Sequence, residues 1–472
     1  MRQLQIELAP GKEPLYRRLT GSLQSCLETG QVQLGELLPS SRSLARQLGI
    51  HRQTVLRALD ELQAEGWLAP EPGRGYRVVA LPSAAPTRPD RGRVPFAWQL
   101  PPPDFDPPEL GLGFPSGRPD LSQFPVKEYY GAIREVLRKH DPGDLLGYGD
   151  PRGRPALRRE LTRYLRRARG IQAGEDEVVV THGSQEAIFL LARLLLGPGD
   201  QVAVETPGYP PAWAAFRQCG AQLVGVEVDQ DGLLPEQLER LGPKVKLLYL
   251  TSIHQYPTTV TLSAPRRRQV YHWAYRHGVA ILEDDYDNEF HYRGPGDATL
   301  KAQDEAGLVL YCSTFSKVLH PSARLGFAVV PPAVSGPLAG LKEVVSRNND
   351  GLTQEAVARW MEQGGFERHL RRMRRLYEKK RDHLAGLLAQ TDFVYRLPDG
   401  GMCLWLDVGV SSQRVCREAA PLGLGLRPGS SYRLEGGESS CLRLGFSAPS
   451  LPQLTRSTEL LVQAVTRSRT NP

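Results

Sequence analysis

Four short runs between residues 178 and 311, apolar at their centres, break off in polar or glycine-bearing residues, and this pattern restricts the fold more than any other feature of the chain. Val178-Val179-Val180 stops at Thr181-His182-Gly183-Ser184-Gln185, and Gln201 to Glu205 stops at Thr206-Pro207-Gly208-Tyr209-Pro210. Val279-Ala280-Ile281-Leu282 runs into Glu283-Asp284-Asp285-Tyr286, and Leu308-Val309-Leu310-Tyr311 precedes Ser313-Thr314-Phe315-Ser316-Lys317. Runs this short and nearly unbroken suit strands covered on both faces by helices, as in a parallel α/β sheet, and Ala187 to Leu196 reads as one such helix. Sheets of this kind bind ligands beyond the carboxyl ends of their strands, so the polar breaks are the candidate site.

The residue types at those breaks suit pyridoxal 5'-phosphate (PLP). Lys317 follows small hydroxyl residues at a strand end, and an amine in partly apolar surroundings gives up its proton more readily, becoming a nucleophile toward an aldehyde. The Thr314 hydroxyl and the Arg324 guanidinium suit a phosphate. Gly183 lets the backbone turn closely, so the amides of Ser184 and Gln185 can point at an anion from a helix N-terminus. Tyr209 offers a ring for stacking, Asp284 can pair with a protonated ring nitrogen, and Tyr286 can hydrogen-bond a ring oxygen. Singly, each has a plainer reading: a loop lysine is ordinarily a solvated charge, and an acidic strand end is ordinarily solvated or a metal site. No histidine stands at ligand spacing from Asp284 or Asp285, so no metal is expected.

In order and spacing these segments resemble a fold-type I, class I/II aminotransferase placed behind a GntR-type winged helix, the arrangement of the MocR family of bacterial transcriptional regulators. The resemblance covers nearly the whole chain. It implies that Lys317 carries the covalent link to the cofactor, that Asp284 pairs with the ring nitrogen, that Tyr286 meets the ring hydroxyl and that Tyr209 stacks on the ring. It further implies that Ser184, Gln185, Thr314 and Arg324 hold the phosphate, and that Arg443, in Leu442-Arg443-Leu444-Gly445-Phe446, receives a ligand carboxylate. Tyr148, in Tyr148-Gly149-Asp150-Pro151-Arg152-Gly153, resembles the tyrosine that reaches the phosphate held by the opposite subunit of a homodimer. Two positions in His254-Gln255-Tyr256-Pro257-Thr258-Thr259 depart from the pattern. Tyr256 stands where an aminotransferase has asparagine, which removes an amide from the ring oxygen. Thr259 stands where the regulators have glycine, and a β-branched residue resists positive φ, so the loop is expected to bend differently.

Leu15, Leu19, Leu23 and Leu27, spaced by fours, predict a first helix that ends near Gly30. Ser40 or Ser41 can cap a short second helix through Leu44, Ala45 and Leu48, and Gly49-Ile50 turns into a third that buries Val55, Ala58, Leu59 and Leu62. His51, Arg52, Gln53, Thr54 and Arg57 then lie toward solvent at the leading end, where a recognition helix meets base edges. Trp67-Leu68 and Tyr76-Arg77-Val78-Val79 read as a hairpin with Glu71-Pro72-Gly73-Arg74-Gly75 at its tip. By resemblance to GntR domains, Arg42, Arg52 and Arg74 are the foremost DNA contacts, with Thr54 on the backbone. The plainer reading is a small helical dimerisation module with a solvated basic face.

At 472 residues the chain exceeds one compact core. The expected domains are an α+β winged helix-turn-helix over 1–80, an extended proline-rich linker over 81–111 and an aminotransferase-like domain over 112–472. Within the last, a large, mostly parallel subdomain is expected at about 150–345 and a smaller α+β subdomain from 112–149 plus 346–472. The formal charge is +7, yet residues 1–80 hold 10 basic against 8 acidic side chains, so most of the excess lies outside the DNA reader. Arg152 to Arg169 and Arg368 to Arg381 read as amphipathic helices with a solvated basic face; the other reading is that they track bent DNA. The cysteines, at 26, 219, 312, 403, 416 and 441, form no Cys-x-x-Cys pair, which suits a reducing cytoplasm. Neither a signal-peptide core nor a membrane span is present, and Gly423, Gly425 and Gly429 have the wrong spacing for a dinucleotide fingerprint.

These observations and the resemblance predict a cytoplasmic, homodimeric, PLP-dependent transcription regulator that binds a double-stranded operator. Its aminotransferase-like body senses an α- or ω-amino acid, taurine, another amine or PLP itself. The alternative is a working aminotransferase with an accessory DNA-binding domain. The same Lys317, Asp284, Tyr286 and Arg443 serve both, so catalytic turnover stays open at this point.

Overall fold

In a computed structural model, which describes residues 4, 6–8, 11, 13–80, 111–292, 296 and 298–470, the chain forms two compact units, Met1–Phe105 and Asp106–Pro472. The expected proline-rich linker, apart from Gly111, lies outside the described residues.

The first unit consists of α1 (Leu15–Glu28), α2 (Ser41–Leu48), α3 (Arg52–Ala64) and an antiparallel hairpin, β1 (Leu68–Glu71) and β2 (Gly75–Val78). Leu19, Leu23 and Leu27 from α1 meet Leu44 of α2 and Val55, Ala58, Leu59 and Leu62 of α3, and Leu68 and Val78 complete this core. Each buried leucine contributes on the order of 2 kcal/mol relative to exposure. The hairpin tip is shorter than expected, because pairing continues to Glu71↔Gly75 and leaves Pro72-Gly73-Arg74 as the turn.

Of the two candidate caps, Ser40 opens α2: its Oγ accepts from the Ser43 N–H at 3.2 Å. Gly49, at φ +65, ends the helix in the left-handed conformation. Ser40→Ala is expected to cost about 1 kcal/mol, read as a lower urea midpoint for this unit. An unchanged midpoint would mean that the cap does not support α2.

In the second unit, β3 (Leu112–Gly113), α4 (Val126–Lys139), α5 (Pro142–Leu146) and α6 (Pro155–Arg169) precede a βα alternation. It runs β4 (Val178–Thr181), α7 (Ser184–Leu195), β5 (Gln201–Thr206), α8 (Pro210–Gln218), β6 (Gln222–Asp229), β7 (Gly232–Leu233) and α9 (Pro235–Leu241). It continues through β8 (Val245–Leu250), α10 (Ala264–His277), β9 (Ala280–Asp285), β10 (Val309–Thr314), β11 (Gly326–Val329) and α11 (Pro332–Val345). Then come α12 (Gly351–Glu362), α13 (Gly365–Leu388), β12 (Val394–Tyr395), β13 (Cys403–Asp407), α14 (Ser412–Ala419), β14 (Leu424–Gly425), β15 (Cys441–Gly445) and α15 (Leu451–Thr470).

The main sheet has the order β4-β11-β10-β9-β8-β5-β6-β7. It is parallel from β10 through β6, whereas β11 runs against both of its neighbours and β7 against β6. Successive strand residues alternate between cores: Val179, Leu247, Leu282 and Leu310 pack with α7 and α8, while Leu248 and Ile281, or Val180 and Tyr311, pack on other helices. Burial on both faces explains why the sequence shows nearly unbroken apolar runs. An antiparallel sheet, β12-β13-β15, follows. Among the described residues, no helix is long and apolar enough to cross a membrane.

The arginine-rich stretches fold as α6 and α13, but the solvated-face expectation fails for several of their residues. Arg158, Arg169 and Arg381 are buried. Arg154 joins Asp144 and Glu355, Arg167 joins Glu367, and Arg368 joins Glu128. Carboxylates from other segments pack against these helices, so the arginines cross-link the fold.

Candidate functional site

Parallel register builds the centre of the site. Cys312 of β10 lies opposite Asp284 of β9, and Tyr249 of β8 lies opposite Leu282 of β9. Asp284 is buried, and its Oδ2 accepts from the Tyr249 hydroxyl at 2.9 Å. Its Oδ1 is buried without a hydrogen-bond partner, and the adjacent Cys312 thiol is too weak a donor to replace one. Burial, reinforced by the neighbouring Asp285 charge, pushes the Asp284 carboxyl up to about 6.

Lys317 follows the end of β10, and burial, then the Arg443 charge, hold its amine below the usual lysine range; Asp287, Cys403 and Asp284 oppose this. Gly117 adopts φ +64, and a Cβ there would stand 3.3 Å from Lys317 Nζ. The positive φ favours glycine at 117, and a side chain there would crowd the amine.

One rung of the sheet, Thr314–Gly326–Thr181, carries the phosphate-side candidates. Gly183, at φ +86, caps α7, whose first two residues are Ser184 and Gln185. Their amides have no acceptor within the helix. The Arg324 guanidinium closes on this turn: Nη2 donates to the His182 carbonyl at 2.6 Å and would lie 3.3 Å from a Cβ on Gly183. Thr314 Oγ1 lies 3.0 Å from Ser316 Oγ. The Gln185 side chain is diverted, its Nε2 donating to Pro211 at 2.8 Å.

Arg443 of β15 is buried with its guanidinium 4.1 Å above the Tyr256 ring. It donates to the Ser116 hydroxyl, its Nη2 stands 3.4 Å from the Tyr286 hydroxyl, and its Nε has no partner. Tyr286 donates to the His254 carbonyl at 2.6 Å, and Tyr209 lies edge-on to Tyr256 with ring centroids 4.9 Å apart. Tyr256 therefore supplies an aromatic floor where asparagine would supply an amide. Thr259 adopts φ +66 after all, its N–H donating to the Gln255 carbonyl at 2.6 Å. That bond and burial hold a conformation the isolated residue resists. Tyr148 is not brought to this cluster; it is 88% exposed, with the Arg347 guanidinium 5.7 Å from its ring.

Sequence reasoning missed Tyr249, Ser116, Gly117 and Cys403, whose Sγ lies 3.6 Å from Ser116 Oγ. Ser116-Gly117 is at least a turn signal. Tyr249 and Cys403 sit within strands, and nothing local marks them.

In the first unit Arg42, His51, Arg52, Gln53 and Arg57 are exposed and Thr54 is half-buried. His51 is the cap of α3 rather than its first residue, its Nδ1 accepting from the Gln53 N–H at 3.3 Å. Arg52 donates to Ser41 at 3.2 Å, Arg57 is pinned 4.0 Å over the Tyr16 ring, and Arg74 stands at the hairpin tip beside Glu71.

Three buried carboxyls crowd the strand ends. Burial is the largest cause in each case, and it pushes Glu205 up to about 8, Glu283 to about 7 and Asp284 to about 6. Each binds its proton more tightly folded than unfolded, so the stability it contributes is complete below its ordinary value and is lost as pH rises through the folded one. The urea midpoint of cofactor-free protein is expected to fall between about pH 4 and 8, and Glu205→Gln should flatten the upper part of that fall. Superimposable profiles would locate the effect elsewhere.

The two units thus define a helix-turn-helix transcriptional regulator built on an aminotransferase-type body. Residues 15–78 match the family model "Bacterial regulatory proteins, gntR family", and residues 111–459 match "Aminotransferase class I and II". The chain is 34% identical over 382 residues to the "Probable rhizopine catabolism regulatory protein MocR" of Rhizobium meliloti, covering 78% of this chain and 76% of that protein. It is 29% identical over 436 residues to the "HTH-type pyridoxine biosynthesis transcriptional regulator PdxR" of Corynebacterium glutamicum, covering 91% of each. The crystal structure of Pyrococcus horikoshii kynurenine aminotransferase matches with a TM-score of 0.71 at 27% identity, covering 75% of this chain and 91% of that one. The chain belongs to the MocR family of GntR-type transcriptional regulators with an aminotransferase-like domain.

Proposed function

We propose that this regulator binds PLP at Lys317 and answers to PLP itself or to an amine or amino acid that displaces Lys317 from it, changing the affinity of a homodimer for operator DNA. The observation that carries the reading is the Asp284 carboxyl, whose Oδ1 is buried and unpartnered in the same site as a lysine whose amine burial holds below its usual range. An orphaned buried carboxylate oxygen is costly unless a ligand donor completes it, and a pyridine N–H is such a donor. The kynurenine aminotransferase structure was solved in complex with PMP, which agrees with that donor set.

PLP would supply a reactive aldehyde and an electron-withdrawing ring. The chain's own groups do the rest. Asp284 Oδ1 would hold the ring-nitrogen proton, the Tyr286 hydroxyl oxygen would accept from the ring hydroxyl, and Tyr209 would cover the ring. The Ser184 and Gln185 amides, Thr314 and Arg324 would take the phosphate, and Arg443 a ligand carboxylate through its free Nε. Tyr148 is assigned to the partner's phosphate, consistent with its exposure on this subunit. Arg42, His51, Arg52, Gln53, Thr54 and Arg74 would meet DNA. Arg57 keeps an exposed edge while bracing α3 on α1.

Coupling between such sites commonly amounts to about 1–3 kcal/mol, or roughly 5- to 150-fold in affinity, which is ample for a switch. The test is footprinting of the DNA flanking the coding region, with and without PLP and candidate amines. Arg52→Ala should weaken operator binding by about 1–3 kcal/mol if the residue reads a base, or lower the salt slope by about one if it meets a phosphate. A footprint indifferent to both cofactor and amines, together with sustained turnover of an amino donor and a keto acid, would favour an enzyme instead.

A further inference from the structure

We propose that a cavity of about 210 Å³ beside the 254–263 loop is a second small-molecule site, which takes a compact zwitterion of the amino-acid class without covalent attachment. It goes beyond the sensor reading, because it needs neither Lys317 nor PLP for binding.

The cavity has charges of both signs and a polar floor. Asp231, Arg396 and Asp399 stand exposed on its lining, and His254 and Thr259 are buried within it. A simple anion would meet two carboxylates, and a simple cation would meet the guanidinium. A ligand carrying both charges can engage each through charge-assisted hydrogen bonds. The volume lies below the roughly 300–1,000 Å³ of sites for drug-sized ligands, which favours a compact ligand over a nucleotide.

Two independent features mark the cavity as more than a packing gap. His291, which lines it, has a buried Nε2 without a hydrogen-bond partner. The loop that forms its wall places two non-glycine residues at positive φ, His254 at +50° and Thr259 at +66°. Strain of this kind persists where surrounding structure enforces it, and it concentrates at ligand sites and switches.

The same wall leads to Lys317. His254 Nδ1 lies 2.9 Å from Asp287 Oδ1, the His254 carbonyl accepts from Tyr286, and Asp287 favours the charged form of Lys317. The 396–401 segment is seated on this pair: a Cβ on Gly400 would run into His254 Nε2, and one on Gly401 would stand 3.2 Å from Asp287 Oδ2. A ligand that draws Arg396 and Asp399 toward Asp231 therefore bears on the histidine–aspartate pair and, through it, on the lysine.

The probe is N,N-dimethylglycine, a zwitterion whose tertiary amine cannot form an imine, titrated into the full chain by calorimetry, with and without PLP. Saturable binding is expected in both forms. It should weaken about tenfold in Arg396→Gln and in Asp231→Asn, the loss of one charge-assisted hydrogen bond in each, and persist in Arg443→Gln. Where PLP is bound, the probe should change the visible absorbance of the lysine-linked cofactor at fixed pH. Absence of binding, equal binding of isobutyrate or isopropylammonium, or loss in Arg443→Gln with retention in Arg396→Gln would each overturn the proposal. A protein that takes no PLP yet binds the probe through Arg396 would overturn the sensor reading alone.

Discussion

Replacing Lys317 with alanine is expected to abolish the visible absorbance that PLP gives when linked to the protein, and with it any label fixed by borohydride. The amine is held below its usual range by burial and by Arg443, so it can offer the neutral form an aldehyde requires. None of the other lysines the structure describes as buried stands in such a place. Lys342 reaches the Arg347 carbonyl, and Lys380 is tied to Asp120 and Ser447. DNA binding by the first unit should survive in Lys317→Ala, while its response to amines disappears. Retention of a full response, or a borohydride label on another peptide, would reject the assignment. A smaller companion effect is expected for Asp284→Asn, which keeps the shape but removes the carboxylate that can pair with a ring-nitrogen proton.

Arg169→Met is expected to be the most damaging substitution outside the site, at about 3–5 kcal/mol, the usual cost of removing one partner from a buried ion pair. The guanidinium ends α6 and is nearly inaccessible, with Nε 2.9 Å from Asp285 Oδ2 and Nη2 2.6 Å from Glu289 Oε1. Tyr311 donates to the same Asp285 oxygen at 2.6 Å, and Tyr164 donates to the same Glu289 oxygen at 2.7 Å. Without the cation, two carboxylates remain buried with only phenols and amides to meet them, and burial already pushes Glu289 up. Proton uptake would relieve them, so the variant should recover part of its stability as pH falls and be weakest above neutrality. A urea series across pH measures this. Arg163→Ala on the same helix is the control: Arg163 is exposed and pairs with Glu160, and its loss should change stability by less than about 1 kcal/mol. Equal effects at both positions would show that the buried cluster contributes no more than a surface pair.

Much of the first unit is legible because its information is local. The leucines at 19, 23 and 27 and the apolar face of α3 repeat at helical spacing, and Ser40 and Gly49 mark the ends of α2 by their hydrogen-bonding and backbone preferences. The strand ends of the second unit are legible for a similar reason: an apolar run covered on both faces must stop where polar groups begin, and Asp284, Tyr286, Gly183, Thr314 and Lys317 stand at or just beyond those stops. The fate of the arginines is another matter. Arg158, Arg169 and Arg381 have the composition of a solvated helix face, yet they are buried, and Arg169 most plainly so because its carboxylate partners, Asp285 and Glu289, lie on a segment far away in the chain.

The sequence by itself determined which residue types stand at the ends of the strands, and with them a DNA-reading unit followed by an aminotransferase-type body. Only the tertiary structure decided which groups face one another. The register that sets Cys312 opposite Asp284 and brings Tyr249 to its carboxylate, the approach of Gly117 to the lysine amine, and the stacking of Arg443 on Tyr256 join residues from 28 to 200 positions apart. Periodicity and capping act over one or two turns of chain and leave their mark in the order of residues. Pairing across a sheet is fixed by the packing of every layer at once, and no single segment records it.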